Sequence, residues 1–141
     1  MSQVMGSGSS YYEHMDSVAY AGKINTPAKS HEYFKRFHAP LVARAKSHFG
    51  PRITVVDIAC GPAFELEFLR DDPGVRLFAT DISPAIIAGV QERFGSRVWA
   101  EVDDASSSRL PLCRAEAGML VNAMVYVPAD MLRTMYRVLA P

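Results

Sequence analysis

The sequence predicts an α/β fold, a doubly wound and mostly parallel sheet that is incomplete at its C-terminal end. Three observations lead there. Ile53 to Ile58 is a short β-branched run with almost no polar residue before Asp57, as expected of a strand covered on both faces. After it, short apolar runs alternate with segments of helical period, the pattern of parallel strands joined by crossover helices. The turn signals Gly50-Pro51, Asp71-Asp72-Pro73-Gly74 and Gly95 fall between these segments.

Each element has its own signature. Thr26-Pro27 reads as a helix cap followed by proline at the first helical position. Tyr33, Phe37, Leu41, Ala45 and Phe49 then recur every four residues and predict one apolar helix face. Pro40 should kink or divide that helix, and Gly50-Pro51 should end it. Ala63 to Arg70 is a helix, Val75 to Thr80 a second strand, and Ser83-Pro84 caps a helix running to Phe94. Val98 to Val102 is a third strand, Ala117 to Ala123 a fourth, and Pro128 to Leu139 a closing helix. Residues 1–25 begin with a Gly/Ser-rich stretch and are expected to be a flexible terminus. Their aromatics, Tyr11, Tyr12 and Tyr20, suit a lid over a site. Residues 26–141 form the folded domain.

With 141 residues there is room for one core. Apolar residues at 49% and charged residues at 21% argue against disorder. Fifteen basic side chains balance fifteen acidic ones, so nothing favours nucleic acid or an anionic membrane as partner. No apolar run approaches the roughly 20 residues of a membrane span. Cys60 and Cys113 have neither disulfide nor metal spacing, which predicts a cytoplasmic protein, and the four histidines form no metal-ligand pattern.

The chemistry concentrates where the first strand meets the next helix, at Asp57-Ile58-Ala59-Cys60-Gly61-Pro62-Ala63. Ligands of such sheets bind beyond the carboxyl ends of the strands, where backbone N–H groups are exposed. Gly61 lets the main chain approach a ligand with no Cβ in the way. Twenty residues on, Asp81 ends the second strand, where a carboxylate can accept hydrogen bonds from both hydroxyls of an adenosine ribose. A dinucleotide would need G-x-G-x-x-G for its pyrophosphate. Here the six positions run from Ala59 to Phe64 and only Gly61 is glycine, so a nicotinamide cofactor is disfavoured.

From Thr26 to Pro141 the chain resembles the class I S-adenosylmethionine-dependent methyltransferases. The family's first motif matches Asp57 to Ala63, with the central glycine kept and the last replaced by alanine. The resemblance implies S-adenosyl-L-methionine as cofactor, held by Asp57, Ala59, Cys60 and Gly61. Asp81 would take the ribose, with Ile82 and Ser83 beside the adenine. Asp104-Ala105 and Leu110-Pro111 resemble the third motif, whose acid lies near the adenine amino group; Asp103-Asp104 reads equally well as a solvated turn. Leu120-Val121-Asn122 matches the fourth strand, with Asn122 near the methionine part. Two departures stand out. Ala117-Gly118 occupies the place where many members carry an acid, and the family's sheet has seven strands where this chain supplies four.

Tyr126, just past the fourth strand, and His31 are the candidate bases, should the methyl acceptor need one. Cys60 is expected to be a small buried residue and not a nucleophile. The implied reaction is methyl transfer to a small-molecule acceptor. The competing reading is a shortened, non-catalytic binding module. On either reading the open fourth strand predicts a homo-oligomer or a second polypeptide that completes the sheet.

Overall fold

A computed structural model describes residues 26–111, 115–120 and 128–139. Helix α1 (Pro27–Tyr33) passes into a π-helical turn (Phe34–His38) and then into α2 (Ala39–Phe49). Strand β1 (Ile53–Ile58) is followed by a 3-10 helix (Phe64–Leu69), strand β2 (Val75–Asp81) and helix α3 (Pro84–Phe94). A 3-10 turn (Gly95–Arg97) leads into β3 (Val98–Val102), and β4 (Ala117–Met119) and α4 (Pro128–Val138) complete the described elements.

All strand pairs are parallel, in the order β3-β2-β1-β4. The two earliest strands are therefore central, and among the described residues β3 and β4 are the edges. Side chains alternate across β1 and feed two cores. Ile53 and Val55 join Leu77, Ala79 and Met119 under α2, the Phe64–Leu69 helix and α3. Val56 and Ile58 join Leu110, Met131 and Val138 under α4. Helices on both faces make the sheet doubly wound, as expected.

The caps follow their sequence signals. Thr26 Oγ1 accepts the Lys29 N–H at 3.3 Å, and Ser83 Oγ accepts that of Ile86 at 3.3 Å with Pro84 in the first turn. The chain divides ahead of Pro40, where the Ala39 N–H reaches back to Phe34 O. A π turn there absorbs the misfit of a residue that lacks a donor and crowds the preceding turn.

Two expectations change. The apolar helix face is not Tyr33, Phe37, Leu41, Ala45 and Phe49, since all but Ala45 are exposed. The buried positions are His38, Val42 and Ala45, with Phe34 partly covered. A strict four-residue spacing drifts about 40° per step on a helix of 3.6 residues per turn, so five such positions cannot share one face. The second change is at Ala63 to Arg70. The helix there is 3-10, and it starts only after Ala63 takes a left-handed conformation at φ 53°. In the fourth strand the ladder covers Ala117–Met119, and residues 121–123 lie outside the described ones.

Around this sheet Arg97 acts as a strap. Its guanidinium donates to the carbonyls of Leu69, Asp72 and Val75 at 3.1, 2.8 and 2.9 Å, tying the 3-10 helix to the start of β2. Lys46 on α2 pairs with Asp72 in the same turn. At β4, Glu116 accepts the Thr54 N–H at 2.6 Å and returns its own N–H to Thr54 O at 3.0 Å. That acid serves the amino end of the sheet, away from the carboxyl ends.

Candidate functional site

The carboxyl ends of β1 and β2 are joined through one side chain. Asp81 Oδ2 accepts the Gly61 N–H at 2.9 Å and Oδ1 accepts the Ser83 N–H at 3.0 Å. Its own carbonyl accepts the Asp103 N–H at 3.0 Å, and the Cys60 N–H bonds Thr80 O at 2.9 Å. Ala59, Gly61 and Ala63 all hold positive φ, at 55°, 53° and 53°. For the two alanines this costs roughly 1–2 kcal/mol each, strain that the surrounding bonds must hold. Arg93 of α3 grips the loop from behind. It donates to the Pro62 carbonyl, pairs with Glu67 at 3.1 Å and lies over the rings of Phe64 and Phe94.

A carboxylate offers about four acceptor positions. Asp81 gives some of these to the backbone N–H groups of Gly61, Ser83 and Ile82, and keeps acceptor capacity for a ligand hydroxyl. Burial pushes its pKa up, opposed by the hydrogen bonds from Ser83, Gly61 and Ile82.

Asp57 lies on the same sheet face. The register sets it opposite Ala79, two residues before Asp81, and opposite Met119 on the other side. It is 1% exposed and its Oδ2 has no hydrogen-bond partner. Burial pushes its pKa well up, and the nearby Glu65 and Asp81 carboxyls add to the rise. Cys60 is buried, its thiol facing the Gly61 carbonyl at 3.2 Å, and burial with the Asp57 and Asp81 charges raises its pKa well above the usual thiol value. It is a packed, unreactive thiol, as expected.

Ser83 is fully buried and caps α3, with Ile82 half-buried between it and Asp81. Asp104 stands in a turn. Burial pushes its pKa up, yet bonds from the Ser106 hydroxyl and N–H, at 2.7 and 2.8 Å, and from Ser107 bring it below the usual value. Its neighbour Asp103 is the buried one, with Oδ1 accepting the Arg109 N–H at 3.0 Å and Oδ2 unpartnered. Ala105 packs in the core under α4. His31 is exposed on α1 and stacks on Phe68 of the 3-10 helix that follows the loop, ring centroids 4.7 Å apart. Tyr126, Asn122 and the lid segment 1–25 lie outside the described residues.

Sequence reasoning missed Glu65 and Asp103. Glu65 is 1% exposed with Oε1 unpartnered, in a helix where an acid would ordinarily face water. The doubled acid at Asp103-Asp104 was the one available hint of the other. Among the described residues no cluster could hold a metal ion, and no helix is long and apolar enough to cross a membrane.

Asp57 gives a pH test. Its folded pKa is raised, so its stabilising contribution is complete below the ordinary carboxylate range near 4 and is lost as pH rises through the folded value. Asp72 acts oppositely. The Lys46 hydrogen bond lowers its pKa, so its contribution is lost as pH falls. The difference between wild type and Asp57→Asn isolates the first effect. Urea midpoints of the ligand-free protein should fall above pH ~4 more steeply in wild type than in the variant. Parallel pH profiles would exclude a protonated Asp57.

A sequence-family profile described as "Methyltransferase domain" matches residues 55–141, more than half of the chain. The chain belongs to the methyltransferase-domain family that this profile describes. Solved structures agree on the fold. A Methanococcus maripaludis protein described as an S-adenosyl-L-methionine-dependent methyltransferase aligns at TM-score 0.60 and 18% identity, over 89% of this chain and 59% of its own. The Haloferax volcanii methyltransferase in complex with its Trm112 activator aligns at 0.60 and 21%, over 89% of this chain and 56% of its own. Geranyl diphosphate C-methyltransferase of Streptomyces coelicolor aligns at 0.56 and 20%, over 70% and 40%. This chain thus spans little more than half the length of the first two. No curated protein matches it significantly.

Proposed function

We propose that the chain binds S-adenosyl-L-methionine across the Gly61 loop and Asp81, and transfers its methyl group to a small-molecule acceptor. The observation that carries this reading is Asp81, a carboxylate buried at a strand end and held by the backbone N–H groups of Gly61 and Ser83, where it can accept from the ribose hydroxyls. Gly61 admits the ligand to the backbone, and Asp57, with its unpartnered oxygen, faces the methionine part. Ile82, Ser83, Asp104 and Ala105 border the adenine. When bound, the cofactor supplies a methyl group on a sulfonium, already a good leaving group. The protein's main task is alignment, and orientation alone can be worth roughly 7–11 kcal/mol. The balanced charge supports a small acceptor, and the geranyl diphosphate enzyme offers a precedent on this fold. Calorimetric titration with S-adenosyl-L-methionine, its demethylated product and NAD tests the reading. Preferential binding of NAD, or no binding of the first two, would overturn it.

One observation favours a partnered form. Strand β4 is an edge among the described residues and has none of the lysine or proline guards of open edges. Beside it α4 carries an open groove lined by Leu132, Arg133, Met135, Tyr136, Arg137 and Leu139, with Tyr136 85% exposed. The chain is therefore expected to self-associate or to take a completing polypeptide, as the Haloferax enzyme takes its activator. Light scattering over a concentration series, with hydrogen exchange at residues 118–120, checks this. A monomer at high concentration with fast-exchanging amides there would contradict it.

A further inference from the structure

Four ionisable side chains from four elements enter the same layer of the molecule, at the carboxyl end of β1. Asp57 and Asp81 share one face of the sheet through the β1–β2 register. Glu65 enters from the 3-10 helix, whose neighbouring Leu66 and Leu69 belong to the core under that face. His38 enters from the π turn, one helical turn ahead of Val42, which belongs to the same core. Asp57 and Glu65 are each 1% exposed and His38 is 8% exposed. Among the described residues, each keeps one buried atom with no hydrogen-bond partner: Asp57 Oδ2, Glu65 Oε1 and His38 Nδ1.

Buried polar atoms are rarely left unpaired, and a buried carboxylate without a counter-charge is strongly disfavoured. Three such atoms from three separate elements, around a loop shaped for a ligand, point to a charge that arrives with the ligand. We propose that Glu65, together with Asp57, forms a paired-carboxyl floor that receives the positive charge of S-adenosyl-L-methionine and releases a proton to solvent on binding. Glu65 is then a specificity-determining residue, favouring the sulfonium cofactor over its uncharged thioether product. The inference rests on the cofactor reading given above.

The surrounding charges are consistent with it. Burial, then Glu65 and Asp81, push the Asp57 carboxyl's pKa up, the direction that favours its protonated form in the empty protein. Burial lowers the His38 pKa while Glu65 opposes the fall, so the imidazole faces Glu65 without supplying a fixed cation. Cys60 is raised and neutral. Arg93 feels Glu65 only weakly and is engaged with Glu67 and the Pro62 carbonyl. The balance of the step is one O–H bond broken at the floor, its proton passed to buffer, and the carboxylate left facing the ligand cation.

Calorimetry of the 141-residue chain tests this, with S-adenosyl-L-methionine and S-adenosylhomocysteine titrated at one pH in buffers of different ionisation enthalpy. In wild type the enthalpy should depend on the buffer with the sign of proton release, more for the sulfonium ligand than for the thioether. Glu65→Gln and Glu65→Leu should each reduce that release and cut the preference for the sulfonium by about tenfold, the order of one lost charged partner. Asp57→Asn should abolish the release. The neutral isostere guards against a leucine variant that fails to fold. Buffer-independent enthalpy in wild type, or Glu65 variants with undiminished release and preference, would overturn the inference while leaving the cofactor reading intact. Absence of any binding by wild type would overturn both.

Discussion

Asp81→Ala is expected to weaken S-adenosyl-L-methionine binding by roughly ten- to more than a hundredfold, the equivalent of about 1.5–3 kcal/mol for hydrogen bonds to a charged acceptor. The loss has two sources. Removal of the carboxylate deletes the acceptor assigned to the ribose. It also orphans the N–H groups of Gly61 and Ser83, which now bond to Oδ2 and Oδ1. The empty variant should therefore be less stable as well as weaker in binding. Asp81→Asn separates the sources, since an amide keeps one acceptor oxygen and can hold only one of the two N–H groups. Titration calorimetry with thermal unfolding of the same samples checks both effects. Equal affinity of wild type and Asp81→Ala would remove Asp81 from the site.

The second large effect is expected far from the ligand. Gly74→Ala should lower stability by about 1–3 kcal/mol, the usual cost of forcing a methyl into a filled space. A Cβ at Gly74 would fall onto the Pro51 carbonyl oxygen, a backbone atom that cannot swing aside, and would also crowd Asp72 and Lys46. That backbone is fixed on both sides. The Ile53 N–H donates to Gly74 O at 2.9 Å, and the Gly74 N–H donates to Asp72 Oδ1 at 2.9 Å. Gly74 is not in the left-handed region, so the penalty is one of space. Gly95→Ala is the contrasting case, with φ +54° and no atom within 4 Å, where the cost is conformational alone. Urea unfolding of the two variants distinguishes them. A Gly74→Ala protein as stable as wild type would mean that β1 and the Asp72 turn can part without cost.

Much of the fold was legible because its signals are local. The β-branched run from Ile53, the Ser83-Pro84 cap and the glycine at residue 95 each act within a few residues, and β1, β2, β3 and α3 fall where those signals put them. The phase of the N-terminal helix was not legible, because a π turn between Phe34 and His38 depends on how Pro40 is accommodated and leaves no mark on the spacing. The 3-10 helix is set by Ala63 in a left-handed conformation that alanine does not advertise. In the site, Gly61 and Asp81 could be read from residue type and separation. Glu65 and Asp103 could not, since an acid's burial depends on tertiary packing and its composition points the other way.

The grip of Arg93 on the Pro62 carbonyl has a consequence for binding. The Gly61 loop is fastened at two adjacent residues, Gly61 through Asp81 and Pro62 through a side chain rooted in α3. Such a segment does not fray residue by residue; it opens as one unit, and that opening breaks both fastenings together. A ligand that engages only the fastened form then draws on an ensemble already narrowed before it arrives, and it returns the favour by the same factor. The guanidinium touches no part of the proposed ligand path, yet it governs how often the path exists. From the last turn of a helix that flanks the sheet, Arg93 thereby biases how much of the ensemble a ligand of this loop can engage.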